Sequence, residues 1–390
     1  LIEYKIQFKM LSDQTMRTRQ MPDKSLLSAI IALIIFGWIM SFSASLAHLN
    51  SYNSFFKQAL FIVAGLSAGL VILNTPISVL QKYSIPLFIL SLVLLVIVFF
   101  PKPIGHEVNN SSRWINLVYF KFQPSELMKL SMVLFMAGFL IRQEKDLRSP
   151  WKGFIKTLLI IGIADVLLLL ETDIGATLII SLTAMAMLYA AGSYIRQLSI
   201  VTIGLLAVLG VFIALIPNRF NRFVSFWYED FWSSNNEKLY QTKAALIGIA
   251  RGDWFGTGLG AGIQKYGLLP ERHTDMIFAV IGEELGIVGM LFVLLSFAYI
   301  LTKGFNIAKL ALKKGRKYSS YVVFGICTWL AMQVTVNIGM NLGLLPPKGF
   351  TLPLLSYGGT SMILTMISLA IVLRVDMENK TNYSKQRKYV

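Results

Sequence analysis

Asp275 stands where a polar loop meets about a helix's worth of apolar sequence. A carboxylate at the edge of a membrane-type segment is costly, which makes it a first candidate for chemistry. Where a weak nucleophile such as a hydroxyl must attack, a positioned carboxylate can take its proton. The plain alternative is a helix cap by Thr274 or Asp275, because an acid suits a helix N-terminus. Helical spacing puts Asp275, Ala279, Gly282, Gly286 and Gly289 on one face. Such small residues let a second element approach closely, which turns Asp275 toward protein rather than lipid. Glu283 and Glu284 lie in the same apolar run. Glu283 falls about 80° from the small-residue stripe and about 12 Å deeper than Asp275. Glu284 falls on the opposite face, and both are expected to be paired structural carboxylates.

Two further clusters carry charge in apolar surroundings. In Ser111–Lys129, Pro124 fits the first position of a helix, which makes Glu126 and Lys129 neighbours at i, i+3. They form either a structural ion pair or part of a phosphate site. In the second reading Arg113 and Lys129 hold the phosphate and Glu126 orients the lysine, since Arg suits bidentate phosphate recognition and Lys acts as a point charge. In Asn337–Ser361 two prolines, Lys348, Pro353 and Gly358-Gly359 interrupt the helical pattern. Irregular backbone at membrane depth is tolerated where it is buried in protein or lines a wet cavity. This segment is a re-entrant turn that also supplies Lys348 as a cation. Arg251–Gly262 has five glycines in twelve residues, which allows positive φ and close approach to a ligand. It lacks the βαβ context of a dinucleotide loop.

The elements that position these residues are helices. Of the 390 residues, 55% are hydrophobic and 14% charged, against about 25% charged in soluble domains. The chain is therefore an all-α polytopic membrane protein. Spans of about 20 apolar residues fall at 26–47, 55–74, 84–101, 124–141, 153–170, 174–192, 198–216, 274–302, 319–341 and 352–374. Glu171, Thr172 and Asp173 mark a tight hairpin between the fifth and sixth. The N-terminal tail is 1–25, the ten-helix domain 26–374 and the basic tail 375–390. Basic residues collect in the N-terminal tail, at Arg142–Lys152, Lys303–Lys317 and beyond Arg374, so both termini are expected in the cytoplasm. Loops 102–123 and 217–273, the latter between the seventh and eighth helices, then face outward with Asp275. The net charge of +16 follows from this bias, and no nucleic-acid partner is expected. Loop 217–273 carries Phe223, Phe226, Trp227, Tyr228, Phe231, Trp232 and Trp254, either as an interfacial anchor or as a lid over a lipid-linked substrate. The N-terminus does not read as a signal peptide. Cys327, the one cysteine, is expected to be a small buried hydrophobe.

Five segments in order, SSRWINL at 111–117, FQPSELMKL at 122–130, ETDIGAT at 171–177, LLPERHTDMIFAVIGEELG at 268–286 and GLLPPKGFTLPLLSYGGTS at 343–361, resemble the SEDS family (shape, elongation, division and sporulation). The resemblance covers roughly residues 25–376. It implies ten transmembrane helices and a glycosyltransferase that polymerises lipid II into peptidoglycan at the outer face of the bacterial cytoplasmic (inner) membrane. It also implies a class B penicillin-binding protein transpeptidase as partner. The family's essential acid falls on Asp275, and its Glu and Lys of the Q-P-S-E-x-x-K segment on Glu126 and Lys129. Arg113, His273 and Lys348 complete the expected substrate-binding set. SFSAS at 41–45, the run 256–271 and KGFTLPLLSYGG at 348–359 resemble the FtsW branch, with other divisome proteins as partners and the septum as location. E-R-H-T-D at 271–275 is closer to the RodA branch of elongation enzymes. In Glu171-Thr172-Asp173 the family commonly has proline before the aspartate.

The chemistry expected is inverting transfer from an undecaprenyl-pyrophosphate-linked donor to a sugar hydroxyl. Asp275 acts as the base, and Arg113, Lys129 and Lys348 face the leaving group. No dense acidic cluster marks a metal site; no cofactor is assigned, and the leaving group is met with or without a divalent cation (Mg or Mn). Two other classes compete: a lipid II flippase with a charged path through Lys129, Asp165, Glu283 and Glu284, and a non-catalytic divisome scaffold.

Overall fold

The computed structural model describes residues 21–46, 51–100, 105–108, 111–116, 121–144, 152–215, 217–228 and 237–387. Of the aromatic residues noted in the long loop, Phe231 and Trp232 lie outside these, as do the basic residues Lys5, Lys9, Arg17, Arg19, Lys145, Arg148 and Lys388. The described chain is almost wholly helical: α1 (Lys24–Ser45), α2 (Ser51–Asn74), α3 (Ile77–Ile97), α4 (Pro124–Arg142), α5 (Lys152–Leu170), α6 (Ile174–Ala190), α7 (Ile195–Ala214), α8 (Pro217–Tyr228), α9 (Glu237–Gly252), α10 (Ile277–Lys313), α11 (Lys317–Asn341) and α12 (Gly359–Arg387). A helix lies under each of the ten spans read from sequence. Among the described residues seven helices are long and apolar enough to cross a membrane.

Local signals explain most boundaries. Asp23 caps α1 by accepting from the Ser25 and Leu26 amides. Pro124 opens α4, where its missing N–H is harmless. Asp173 caps α6 through the Ala176 amide. The hairpin before it turns at Thr172, whose φ is 63°. Proline, held near −65°, cannot take that conformation, so the departure from the family pattern belongs to the shape of this turn.

Burial orders the bundle. The apolar stretch of α4 is 89% buried, whereas α2 and α3 are 22% buried. Helix α4 is the central element, packed by α3, α6, α11 and α12. Its apolar neighbours include Met128, Met132, Leu134 and Trp329.

The bundle has two unlike ends. At one, the Asp23 amide donates to Asp376, Lys303 pairs with Asp23, Lys317 with Glu144, and Arg374 with Glu378. The start of α1 and the far part of α12 therefore meet at a basic end. Helix α12 does not stop at 374: it runs on to Arg387, and Asp376 and Asn379 are buried. That part of the basic tail is packed helix. At the other end lie all five segments singled out by sequence.

Three features depart from the sequence reading. The loop at 102–123 contains an antiparallel sheet of β1 (Gly105–Val108), β2 (Ser111–Asn116) and β3 (Lys121–Phe122), in that order. The long loop 217–273 contains α8 and α9, which are too polar on average to read as spans. The small residues Gly248 and Gly252 let α9 lie directly on α10; a Cβ at Gly252 would sit 1.8 Å from the Gly282 carbonyl oxygen. Helix α10 itself is broken at Gly286 (φ 64°, ψ −160°).

Candidate active site

Asp275 lies outside α10, in the turn just before Ile277. Neither it nor Thr274 caps the helix; the N-cap position is Met276, with no side-chain bond. The capping work falls to Asn341, whose Oδ1 accepts the Ala279 amide at 3.0 Å. The Nδ2 groups of Asn337 and Asn341 donate to the Asp275 carbonyl at 2.9 and 3.0 Å. Asn337 also donates to the Phe350 carbonyl. Two asparagines one turn apart on α11 thus clamp the Asp275 backbone and the 348–350 loop together.

The neighbouring segments are stitched to this turn. The Ser356 hydroxyl donates to the Thr274 carbonyl and accepts the Leu352 amide. The Tyr357 amide donates to the His273 carbonyl at 2.8 Å, and the two rings meet edge to face. Arg272 donates to the Ala44 carbonyl at the end of α1. Phe350 packs on Gly175, where a Cβ would meet its ring at 2.5 Å.

The Asp275 carboxylate accepts no hydrogen bond from the described residues. A side chain on Gly349 would meet its Oδ2 at 3.5 Å, so the Lys348–Phe350 loop borders it directly. The residue is partly open to the surface, yet protein packs closely round its carboxyl. Loss of water raises its pKa to about 8, Glu271 adds to the rise, and Arg113 opposes it. Glu271 is exposed and accepts from Thr274.

Arg113 reaches this point from β2. The ladder pairs Trp114 with His106 and Ser112 with Glu107, skipping Arg113. A bulge of this kind re-aims a side chain. The guanidinium donates to the Thr172 carbonyl at 2.8 Å, and its charge acts on both Asp275 and Glu171. Lys348 is half-buried at the loop's start. Arg113, His273, Asp275 and Lys348 are thus brought to one end of the bundle.

Glu126 and Lys129 form a separate, deeper layer. They pair at 2.8 Å and are 7% and 5% exposed. Lys129 also donates to Gln333 Oε1 at 3.0 Å and lies over the Trp329 ring. Gln333 in turn donates to the Thr351 carbonyl. This is the arrangement of the structural ion pair; it supports the 348–361 loop from below.

Glu283 and Glu284 are fully buried and engaged. Glu283 accepts from Arg251 and from the Ile263 and Gln264 amides. Glu284 accepts from Lys265, Ser43 and the Gly260 amide. They bind the glycine-rich loop to the break in α10: the Thr257 and Gly258 amides donate to the Glu283 and Glu284 carbonyls. The close approach those glycines permit is to helix backbone, and at Gly256 (φ 81°) a Cβ would lie 2.1 Å from the Glu284 carbonyl oxygen.

The sequence reading gave neither Asn341 nor Glu171 a role at the site, Glu171 being taken only as part of a hairpin. The first had a signal, a pair of asparagines at i, i+4 in an apolar helix.

Fold and site together define a polytopic membrane protein with one buried-edge carboxylate, flanked by cations, at the end of the bundle away from its basic face. The chain belongs to the FtsW/RodA/SpoVE family of cell cycle proteins, whose model matches residues 24–381. It is 42% identical over 366 residues to the probable peptidoglycan glycosyltransferase FtsW of Legionella pneumophila, covering 92% of this chain and 91% of that one. It is 39% identical to the protein of the same name from Thiomonas intermedia, covering 92% and 89%. Among solved structures it superposes on a chain of the work described as "Structural coordination of polymerization and crosslinking by a peptidoglycan synthase complex", with TM-score 0.74, 26% identity and coverage of 92% and 98%. It also matches the crystal structure of the Thermus thermophilus rod shape determining protein RodA, with TM-score 0.66, 27% identity and coverage of 92% and 97%.

Proposed function

We propose that this chain is a peptidoglycan glycosyltransferase of the FtsW type, polymerising lipid II at the outer membrane face. The observation that carries the reading is the Asp275 carboxylate: it is fixed through its backbone, bordered by Arg113 and the Lys348 loop, and bonded to no donor among the described residues. The acceptor sugar's 4-hydroxyl gives its proton to Asp275 as its oxygen bonds to the donor's C1. The C1–oxygen bond to pyrophosphate breaks on the opposite side, inverting that carbon, and the electron pair leaves with undecaprenyl pyrophosphate. A base with a pKa near 8 is well matched to work near neutral pH. Arg113 and Lys348 meet the charge that develops on the leaving group. His273, held against Tyr357, helps shape the substrate side of the turn. Glu126 and Lys129 act on substrate through the loop they support. Among the described residues no three His, Cys, Asp or Glu side chains gather as a metal site; a divalent cation carried in on the pyrophosphate would add its charge to that of Arg113 and Lys348.

The bias of Lys and Arg toward the end holding both termini supports a cytoplasmic basic end in the inner membrane. The naming of the relatives favours a septal role, with other divisome proteins as neighbours, over RodA-type elongation. The structural neighbour's crosslinking partner supports a class B penicillin-binding protein transpeptidase here. The locked pairs at Lys129, Glu283 and Glu284 favour polymerisation over transport of lipid II.

The test is polymerisation of purified lipid II by full-length protein, with and without the transpeptidase. Asp275→Asn is expected to abolish polymer, as its amide cannot accept the proton. A well-folded Asp275→Asn protein that polymerises at the parent's rate would sink the reading.

A further inference from the structure

Glu171 is a charged-type residue that the reaction above does not use. It sits at the turn after α5, 1% exposed, and among the described residues neither carboxyl oxygen has a hydrogen-bond partner. Burying such a group without partners is expensive. Facing it is Arg113, whose Nε is also buried without a partner among the described residues and whose guanidinium is anchored one residue away, on the Thr172 carbonyl. An acid and a guanidinium are therefore held near each other in a dry turn without being paired.

We propose that Glu171 is a positioning residue that competes with the anionic pyrophosphate group for Arg113. Uncharged, Glu171 leaves the guanidinium's charge available to the leaving group. Charged, it draws the guanidinium into a buried ion pair and withdraws it from substrate. The inference rests on the proposed reaction only for the identity of the anion.

The charged groups acting on Glu171 are Asp173 from its own turn and Arg113 from β2. Asp173 is fixed by the Ala176 amide and the Ser125 hydroxyl. Asp275, before α10, shares the same Arg113. In α4, Lys129 is committed to Glu126 and Gln333. Burial raises the Glu171 pKa to about 9, Asp173 raises it further, and Arg113 lowers it. The sign follows: at neutral pH Glu171 is a neutral acid and Arg113 serves the anion, and as pH rises past about 9 the anion loses Arg113.

The probe is inorganic pyrophosphate, titrated against the purified full chain by calorimetry from about pH 7 to about pH 10. In the parent, affinity is expected to fall by up to about tenfold per pH unit once Glu171 ionises, as one linked proton requires. In Glu171→Gln the linked loss above about pH 9 is expected to be absent, leaving the changes that ionisation of Asp275 and of pyrophosphate itself produce in both proteins, and in Arg113→Gln binding is expected to be weak throughout. A second measurement uses an anion that does not titrate. Sulfate, whose own charge is fixed here, should bind the parent near pH 9 with more proton uptake than accompanies its binding to Glu171→Gln, as reciprocity demands. Equal alkaline loss in parent and Glu171→Gln overturns the proposal, as does parent-like binding by Arg113→Gln, absence of pyrophosphate binding to the parent near pH 7, or sulfate binding with no more proton uptake in the parent than in Glu171→Gln. Failure of lipid II polymerisation would strike the proposed reaction and leave this binding result to be judged by itself.

Discussion

At the scale of single residues, the proposed role of Asp275 as base rests on a backbone that is heavily held and a carboxylate that is not. A general base must be ionised, so activity is expected to rise with pH through about 8 and to fall away below it. Glu271 is one cause of that high value, and it is exposed. Glu271→Gln removes a like charge, stabilises ionised Asp275 and moves the acid limb of kcat/KM to lower pH. An exposed charge is worth about 0.2–1 kcal/mol, or about 0.1–0.7 of a pH unit, and the shift should shrink as salt is added. A pH–rate series at two ionic strengths reads it, and an acid limb that stays in place or moves upward would refute the coupling. Asp275 was legible in sequence because its type is wrong for its surroundings. Glu171 was equally misplaced but was absorbed into a hairpin, since only the fold brings Arg113 of β2 beside it. The bulge that aims Arg113 comes from strand pairing, which no local pattern in 105–116 announces.

At the scale of elements, the helices were legible from apolar runs, whereas the purpose of the glycine-rich loop was not. Its glycines suggested approach to a ligand, and the structure shows approach to α10 where that helix breaks at Gly286. Glu283 and Glu284 were rightly expected to be paired, but their partners come from Arg251, Lys265, Ser43 and loop amides far along the chain. Lys265 and Glu284 are both fully buried at 2.8 Å. Removing one partner strands a buried charge, which costs about 3–5 kcal/mol. Lys265→Met is therefore expected to lower thermal stability in detergent sharply, and Lys265→Met with Glu284→Gln to recover much of the loss. Equal destabilisation by single and double variants would show that the charge pair is not what holds the loop. Lost activity in Lys265→Met should follow lost folding, unlike the folded but inactive Asp275→Asn.

At the scale of the whole molecule, sequence motifs separated by up to 250 positions meet at one end because the helices alternate in direction and bring the start of α1 and the far part of α12 together at the other. The contact between the Asp23 amide and Asp376 closes that basic end; the clamp of Asn337 and Asn341 on Asp275 closes the opposite one. The proposed orientation takes the basic end to the cytoplasm, as charge bias favours. Cys327 is 3% exposed, so it gives little background to a thiol reagent. Tyr266, 63% exposed near the site, and Lys313, exposed at the end of α10, report on the two ends. In intact spheroplasts a membrane-impermeant maleimide is expected to label Tyr266→Cys and to leave Lys313→Cys unlabelled until the membrane is permeabilised. The reverse pattern would put Asp275 on the cytoplasmic side, where lipid II is made rather than consumed, and polymerisation at the outer face would be untenable even with the site's geometry intact.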